Sequence, residues 1–439
     1  MNVTRIDPGS QIHGGTSPRS GVVRAVDAVR QLLNRGTIDG RMVLLTAVAG
    51  YLSVVAIARL WLHFDVWRFL GVPSGPSVFF DARNLTAALD CHRLGIDPLY
   101  TNPCDPWGRP LMYLRPWLLL GYLGLTQTHT VAIAAVLIAA MFLLFAAISG
   151  PTPAGTGVVL ALAACSPAVM FAVERANMDV ALFSVVAIAL LLWRDGSRWS
   201  ASLSPVLVLI AAMAKLYPIF ALPAFVLAGR RRAAWVAIAS GIAFVLYVAL
   251  TLGDVRHAAQ IATQGEEYSY GSRILIAHLY HQTGVDRWNA PAAVKQAVAA
   301  VPVVAAMIAI VVLVRRRFVA LTTTMDATLL AFYVGALIYL GTFVTTNNFD
   351  YRLVFLLLTL PQLTAWCRRP PDQLSSLATA TLLTVLLALW VGSLSRLLHL
   401  WDELVSWLLA GLMSAVLVAT FPALDRVWRT LIEPDLRRT

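Results

Sequence analysis

Charge is what this chain has least of. Only 13% of its 439 residues are Asp, Glu, Lys or Arg, about half the share of an ordinary soluble domain. With 59% apolar residues and a mean hydropathy of +0.72, that scarcity excludes the string of soluble domains its length would otherwise suggest. Lysine is nearly missing: Lys215 and Lys295 are the only two, and arginine supplies almost all the positive charge behind the net +11. Nucleic-acid binding is the usual reading of a basic chain. It is excluded here because the arginines sit in short loops between apolar runs. No His/Cys ligand spacing occurs, so no metal or cofactor is expected. Residues 1–41 lack a long apolar run and are rich in Gly, Ser and Arg. They are too polar and too long for a cleavable signal peptide and read as a cytosolic, largely disordered leader.

What the chain has instead is apolar runs, almost end to end. A membrane span takes roughly 20 apolar residues. Such runs fall near 42–62, 127–149, 155–173, 177–193, 201–214, 216–229, 233–252, 297–314, 325–345, 351–366, 374–396 and 403–422. The short pair 201–214 and 216–229, with Pro205, Pro218 and Pro223, reads as broken or tilted half-spans or as one kinked segment. The expected fold is all-α: a polytopic transmembrane bundle of about 12 spans over 42–422, with outer loops 63–126 and 253–296 and a cytosolic tail 423–439. Positive residues favour the cytosolic side. With the N-terminal arginines Arg19, Arg24, Arg30, Arg35 and Arg41 inside, alternation brings in Arg194 and Arg198, Arg230 to Arg232, Arg315 to Arg317, Arg368 and Arg369, and the tail. Arg59 and Arg396 are single exceptions. Both termini are therefore expected in the cytosol.

The opposite face receives the remaining polar residues. Charged short turns at a bilayer edge are costly unless they face a cavity or one another. The turns at Glu174-Arg175-Ala176-Asn177-Met178-Asp179, Lys215-Leu216-Tyr217-Pro218, Asn347 to Arg352 and His399 to Glu403 therefore suggest a shared polar cavity. In the first outer loop, Phe79 to Asp90 reads as an amphipathic helix. Asp81 lies near its N-terminus, where the helix dipole favours a carboxylate, so a plain helix cap is one reading of it. The Pro- and Gly-rich stretch from Gly95 to Pro110 reads as ordered turns.

In these pieces the chain resembles the GT-C class of integral-membrane glycosyltransferases, with glycosyltransferase family 87 the closest match. That family includes polyprenol-phosphate-mannose-dependent alpha-1,2-mannosyltransferases. The resemblance rests on the Asp81–Tyr100 stretch, the turn around Asn177 leading into an apolar span, and Lys215-Leu216-Tyr217-Pro218, and it covers most of 42–360. It implies that a sugar, mannose as the family-based choice, moves with inversion from a polyprenyl-phosphate donor. The acceptor would be a lipid or cell-envelope glycan on the extracytoplasmic face of the plasma membrane.

The resemblance makes Asp81 the catalytic base. Such a donor is already activated, so deprotonating the acceptor hydroxyl and stabilising the departing phosphate is the chemistry that remains. The absence of an Asp-x-Asp pair fits a lipid donor. Lys215 and Arg352 are the candidate phosphate-binding cations. Lys215 also reads as an interfacial lysine extending its amine to water, and Arg352 as half of an ion pair with Asp350. Glu174, Asn177, Asp179, Tyr217, Asn348 and Asp350 are candidates for sugar or acceptor binding, although Glu174 and Arg175 could simply pair with each other. The family places an assisting histidine in the late outer loops. Here that region offers Asn347, Asn348 and Asp350, with His278 and His281 earlier. Loop 253–296 carries Arg256, Glu266, Glu267, Tyr268, Tyr270, Arg273 and Trp288, a mixture suited to carbohydrate or to an interfacial belt.

Cys91 and Cys104 both fall in the first outer loop, where a disulfide is permitted, and they are expected to pair. Cys165, in a span, and Cys367, cytosolic, are expected to be free. A lipid-sugar transporter is the competing reading. It should carry mid-span ionisable residues and repeated halves, and neither is evident. A polysaccharide polymerase or ligase acting on a lipid-linked oligomer is a third.

Overall fold

The computed structural model describes residues 21–62, 64–261, 268–272, 325–345, 348–392 and 401–421, with single positions elsewhere. Glu266, Glu267, Arg273, His278, His281, Trp288, Arg315 to Arg317, Asn347, Arg396, His399, two thirds of the expected span 297–314 and nearly all of the tail lie outside the described residues.

The described chain is an all-α membrane bundle. In order, its helices are α1 (Gly21–Leu33), α2 (Gly40–Trp61), α3 (Val66–Phe69), α4 (Phe80–Arg93), α5 (Thr130–Ser149), α6 (Ala154–Ala164), α7 (Pro167–Arg175), α8 (Met178–Asp195) and α9 (Arg198–Lys215). Then follow α10 (Leu222–Leu227), α11 (Arg231–Leu250), α12 (Leu252–Ile261), α13 (Ala327–Thr345), α14 (Leu360–Cys367), α15 (Gln373–Val391) and α16 (Trp401–Thr420). The tighter 3-10 stretches Arg115–Leu123, Tyr217–Ala221 and Asp350–Thr359 interrupt the series. Among the described residues, 6 helices are long and apolar enough to cross a bilayer, or 7 if the bent pair α6 and α7 counts as one.

The interruptions have local causes. Pro167 has no N–H to continue α6, and Ser166 restarts the helix by accepting from the Val169 N–H at 3.4 Å. The two helices consequently meet at 56°. Pro218 and Pro223 likewise open the short elements after Lys215.

The helices sort by exposure. On α2 and α11, Val54, Ile57, Leu60, Ile242, Val245 and Leu246 are exposed, as lipid-facing positions are. On α13, Phe332, Tyr333, Tyr339 and Phe343 are buried, so that helix is the interior post. Residues 21–33 depart from the expected disordered leader. They form α1, which buries Val26 and Leu33. Its last turn docks on α6, where Thr156 Oγ1 donates to the Leu33 carbonyl at 2.9 Å. Gly155 approaches the Leu32 carbonyl so closely that no Cβ fits between them.

Arg194, Arg198, Arg230 and Arg231 sit together at one end of α8, α9 and α11. Gly40 N–H donates to the Thr152 carbonyl at 2.6 Å, Arg194 Nη1 to the Ala147 carbonyl at 3.0 Å, and Arg230 Nη1 to the Trp193 carbonyl at 2.9 Å. The chain turns at Glu174–Asp179, Lys215–Tyr217 and Asn348–Arg352 lie at the opposite end. Here a two-stranded antiparallel ribbon, β1 (Ser269–Tyr270) and β2 (Asn348–Phe349), pairs Ser269 with Phe349 and Tyr270 with Asn348.

The first long loop caps that end as a small ordered unit. Cys91 and Cys104 are joined by a disulfide, and Cys165 and Cys367 are free thiols. Asn84 is the unit's hub. Its Nδ2 donates to Asp105 at 3.2 Å and to the Arg109 and Pro110 carbonyls at 3.2 and 3.1 Å, while its Oδ1 accepts from the Met112 N–H at 3.3 Å.

Candidate active site

Asp81 is not a helix cap. Phe79 occupies the cap position of α4, and Asp81 lies in the first turn, only 2% exposed. Its carboxylate faces the membrane helices instead. Oδ2 accepts from Asn177 Nδ2 at 2.6 Å, and Oδ1 pairs with Arg175 Nη1 at 3.3 Å.

The network continues through the α7–α8 turn. Asn177 caps α8 by accepting from the Asp179 N–H at 2.9 Å. Lys215 Nζ donates to the same Asn177 Oδ1 at 3.2 Å and also bonds Asp179. The other Asp179 oxygen pairs with Arg352 Nε at 3.4 Å, and Arg352 Nη1 donates to Asn348. Asp81, Lys215 and Arg352 thus belong to one connected set, drawn from the first loop and three separate turns. Lys215 is not reaching for water: its side chain is 16% exposed and its partner Asp179 is 0% exposed.

Aromatic rings wall the cations. Lys215 Nζ lies 5.4 Å from the ring centres of both Tyr113 and Tyr351. The Arg352 guanidinium lies 4.4 Å from the Tyr217 ring centre. Such faces favour a cation and keep it out of bulk water.

Several pairings differ from those expected. Arg175 does not pair with Glu174; helix geometry turns neighbouring side chains apart, and Arg175 reaches Asp81. Glu174 Oε1 accepts from the Gly75 N–H at 2.9 Å, and its carbonyl accepts from Phe79 N–H at 3.2 Å. It therefore pins the strand of loop that delivers Asp81. Asp350 is not the partner of Arg352 either. The 3-10 turn points it to the other side, where its Oδ2 rests against Gly392 with no room for a Cβ. Asp179 and Asn348 hold Arg352 in its place. Asn177 and Asp179 are engaged within the network. Tyr270 stacks on Tyr339 at 5.5 Å and shares a hydrogen bond with Thr342 at 2.9 Å.

Sequence reading missed Arg175 as a member of the set, and missed Tyr113 and Tyr351 as its walls. It also missed a backbone signal. Among the described residues, the non-glycine residues with positive φ are Phe79 (56°), Ala176 (43°), Leu216 (38°) and Tyr268 (53°). The first three lie within two residues of Asp81, Arg175, Asn177 and Lys215. Left-handed conformations cost about 1 kcal/mol or more for such residues and persist where surrounding structure imposes them. No spacing rule in the sequence announces them.

Comparison with known proteins gives a family but no near relative. The model of glycosyltransferase family 87 matches residues 110–338, a little over half of the chain. That stretch contains Glu174, Arg175, Asn177, Asp179, Lys215 and Tyr217. Asp81, the disulfide, Asn348, Asp350 and Arg352 fall outside it. No curated protein and no solved structure matches. With its helical membrane bundle and a charged cluster at one end, the chain belongs to glycosyltransferase family 87 and is a membrane glycosyltransferase of the GT-C type.

Proposed function

We propose that the protein transfers a sugar from a polyprenyl phosphate to a hydroxyl of a glycolipid or cell-envelope glycan at the extracytoplasmic face of the plasma membrane. The observation that carries this reading is the connected set itself. A buried carboxylate, Asp81, shares Asn177 with Lys215, and Asp179 joins Lys215 to Arg352.

Asp81 takes the proton of the acceptor hydroxyl. The resulting oxygen attacks the anomeric carbon, and the bond from that carbon to the phosphate oxygen breaks. Its electron pair leaves with the polyprenyl phosphate, whose growing charge Lys215 and Arg352 stabilise. Attack opposite the leaving group inverts the sugar carbon. Asn348, Tyr217 and the Asn177–Asp179 turn border the sugar, and mannose is the sugar the family suggests. Asp350 and Glu174 support the loops around it. The chemistry calls on no metal or cofactor, because fixed cations supply the charge.

In this reading about 12 spans cross the membrane, the broken elements after Lys215 and Arg352 each counting as one. Both termini lie in the cytosol with the arginines. A lipid-carried donor follows from that orientation, since the reaction occurs away from the cytosolic nucleotide sugars.

The test is transfer by the purified protein from labelled polyprenyl-phosphate sugars, with Asp81→Asn alongside. Wild type should transfer and the variant should not. Transfer at the wild-type rate by Asp81→Asn removes Asp81 as the base. Failure of wild type with every donor, together with movement of lipid-linked sugar across vesicles, establishes the transporter reading in its place.

A further inference from the structure

Charge counting in the network singles out Arg175. The hydrogen-bonded set holds three cations, Arg175, Lys215 and Arg352, against two carboxylates, Asp81 and Asp179. One positive charge remains. Glu174 does not offset it within the set, because its bond goes to the Gly75 N–H across the turn. A sugar-phosphate diester carries one negative charge, so the vacancy matches the donor's charge.

The cations are not equally committed. Lys215 and Arg352 both bear on Asp179, whose side chain is fully buried, and each is itself mostly covered. Arg175 is the most exposed of the three, at 25%. Its 3.3 Å contact with Asp81 matches the 3.4 Å from Arg352 to Asp179, but Arg352 also bonds Asn348, whereas the Arg175 Nε is buried with no hydrogen-bond partner among the described residues. The guanidinium lies 4.9 Å from the Phe171 ring centre and 5.8 Å from that of Phe80, a track along which a planar cation can slide without losing its neighbours.

Resting on the reading of Asp81 as base, we propose that Arg175 is a third donor-phosphate ligand, exchanging its Asp81 contact for the phosphate during transfer. The two halves of the reaction favour that exchange together. When Asp81 accepts the acceptor's proton it becomes neutral and loses its hold on Arg175. In the same step the phosphate passes from a diester with one negative charge to a monoester with two. Charge leaves one end of Arg175's reach as it builds at the other. The contact is therefore tighter in the product state than in the donor state, which places its effect on the departing group.

The test uses the full chain in detergent and polyprenyl phosphate itself, so it needs no knowledge of the sugar. Direct binding of polyprenyl phosphate is compared for wild type, Arg175→Gln and Arg175→Lys. Transfer assays add kcat and the KM for each substrate, with Asp81→Asn as control. Removing a charge-assisted bond should weaken polyprenyl-phosphate binding about 10- to 100-fold in Arg175→Gln and lower kcat by a similar factor. The acceptor KM should stay within about twofold, and Arg175→Lys should recover much of the binding. A purely structural role would raise both substrates' KM alike, and Arg175→Lys would not recover polyprenyl-phosphate binding selectively. Unchanged polyprenyl-phosphate binding in Arg175→Gln, with Asp81→Asn inactive, overturns the role of Arg175 and leaves the base intact. Weakened binding in Arg175→Gln with full activity in Asp81→Asn keeps Arg175 as a phosphate ligand and overturns the exchange with a catalytic base.

Discussion

Two networks of aspartate and arginine sit at the same end of this bundle, and they differ in almost everything but composition. One is the buried set around Asp179. The other is a strap in which Arg115 pairs with Asp97 at 2.8 Å and with Asp254 on α12 at 2.6 Å. Beside it, His257 Nε2 hydrogen-bonds the Leu99 carbonyl at 3.0 Å and its ring packs on Tyr100. The strap ties the first loop to the helix that follows α11. Arg115 and Asp97 are each 41% exposed, so water screens them. Asp179 has no such screen. A pair about 4 Å apart gains roughly four times more from its charges near a protein interior than in bulk water, and it loses correspondingly more when one partner is removed. Ion pairing alone says little about role; burial and shared partners decide it.

The contrast can be broken by substitution. The largest effect should come from Asp81→Asn, with transfer falling about 10²- to 10⁴-fold in the purified-protein assay while the protein still purifies as a folded monodisperse species. Asp179→Asn comes next. It removes the carboxylate that pairs with both Lys215 and Arg352, and thermal unfolding in detergent should report a loss of about 3–5 kcal/mol. Stability equal to wild type would mean the set is hydrated after all and no different from the strap.

Opening the disulfide should cost somewhat less. Cys91 and Cys104 are 13 residues apart, and closing a loop of that length is worth about 3 kcal/mol. Cys91→Ser should melt earlier by that amount under oxidising conditions and match the wild type once reductant is added.

The smallest effect belongs to the strap. Asp97→Asn should change stability by less than about 1 kcal/mol, and the difference should vanish in 1 M salt, where screening acts over about 3 Å. Its pH dependence has a definite sign. Burial pulls the Asp97 carboxyl upward, but the Arg115 hydrogen bond and charge outweigh it and hold it below the ordinary carboxylate range. The strap's contribution is therefore fully present above about pH 4 and is lost as pH falls through the lowered value. The gap between the melting curves of wild type and Asp97→Asn should be full at pH 7 and narrower at pH 3.

Much of this was legible without coordinates. Apolar run length and arginine placement marked the bundle and its polar end, because a bilayer imposes both. Lys215 stood out through the rarity of lysine, and Asp81 through its place in the loop. Pairing was not legible. Arg175 follows Glu174 in sequence yet bonds Asp81, and Arg352 lies two residues from Asp350 yet bonds Asp179 and Asn348. Neighbours along a helix or 3-10 turn point in different directions, whereas residues far apart in the chain meet where turns converge. The same limit hid α1, whose apolar face is too short to stand out until α6 presents Gly155 and Thr156 to receive it.

The amino-acid sequence by itself determined that the chain lives in a membrane and which end carries its polar turns, since both follow from hydrophobic length and charge count. Only the tertiary structure decided which charges face one another. That choice rests on left-handed turns at Ala176 and Leu216 and on the loop pinned by Glu174, and these persist only because the packed bundle holds them.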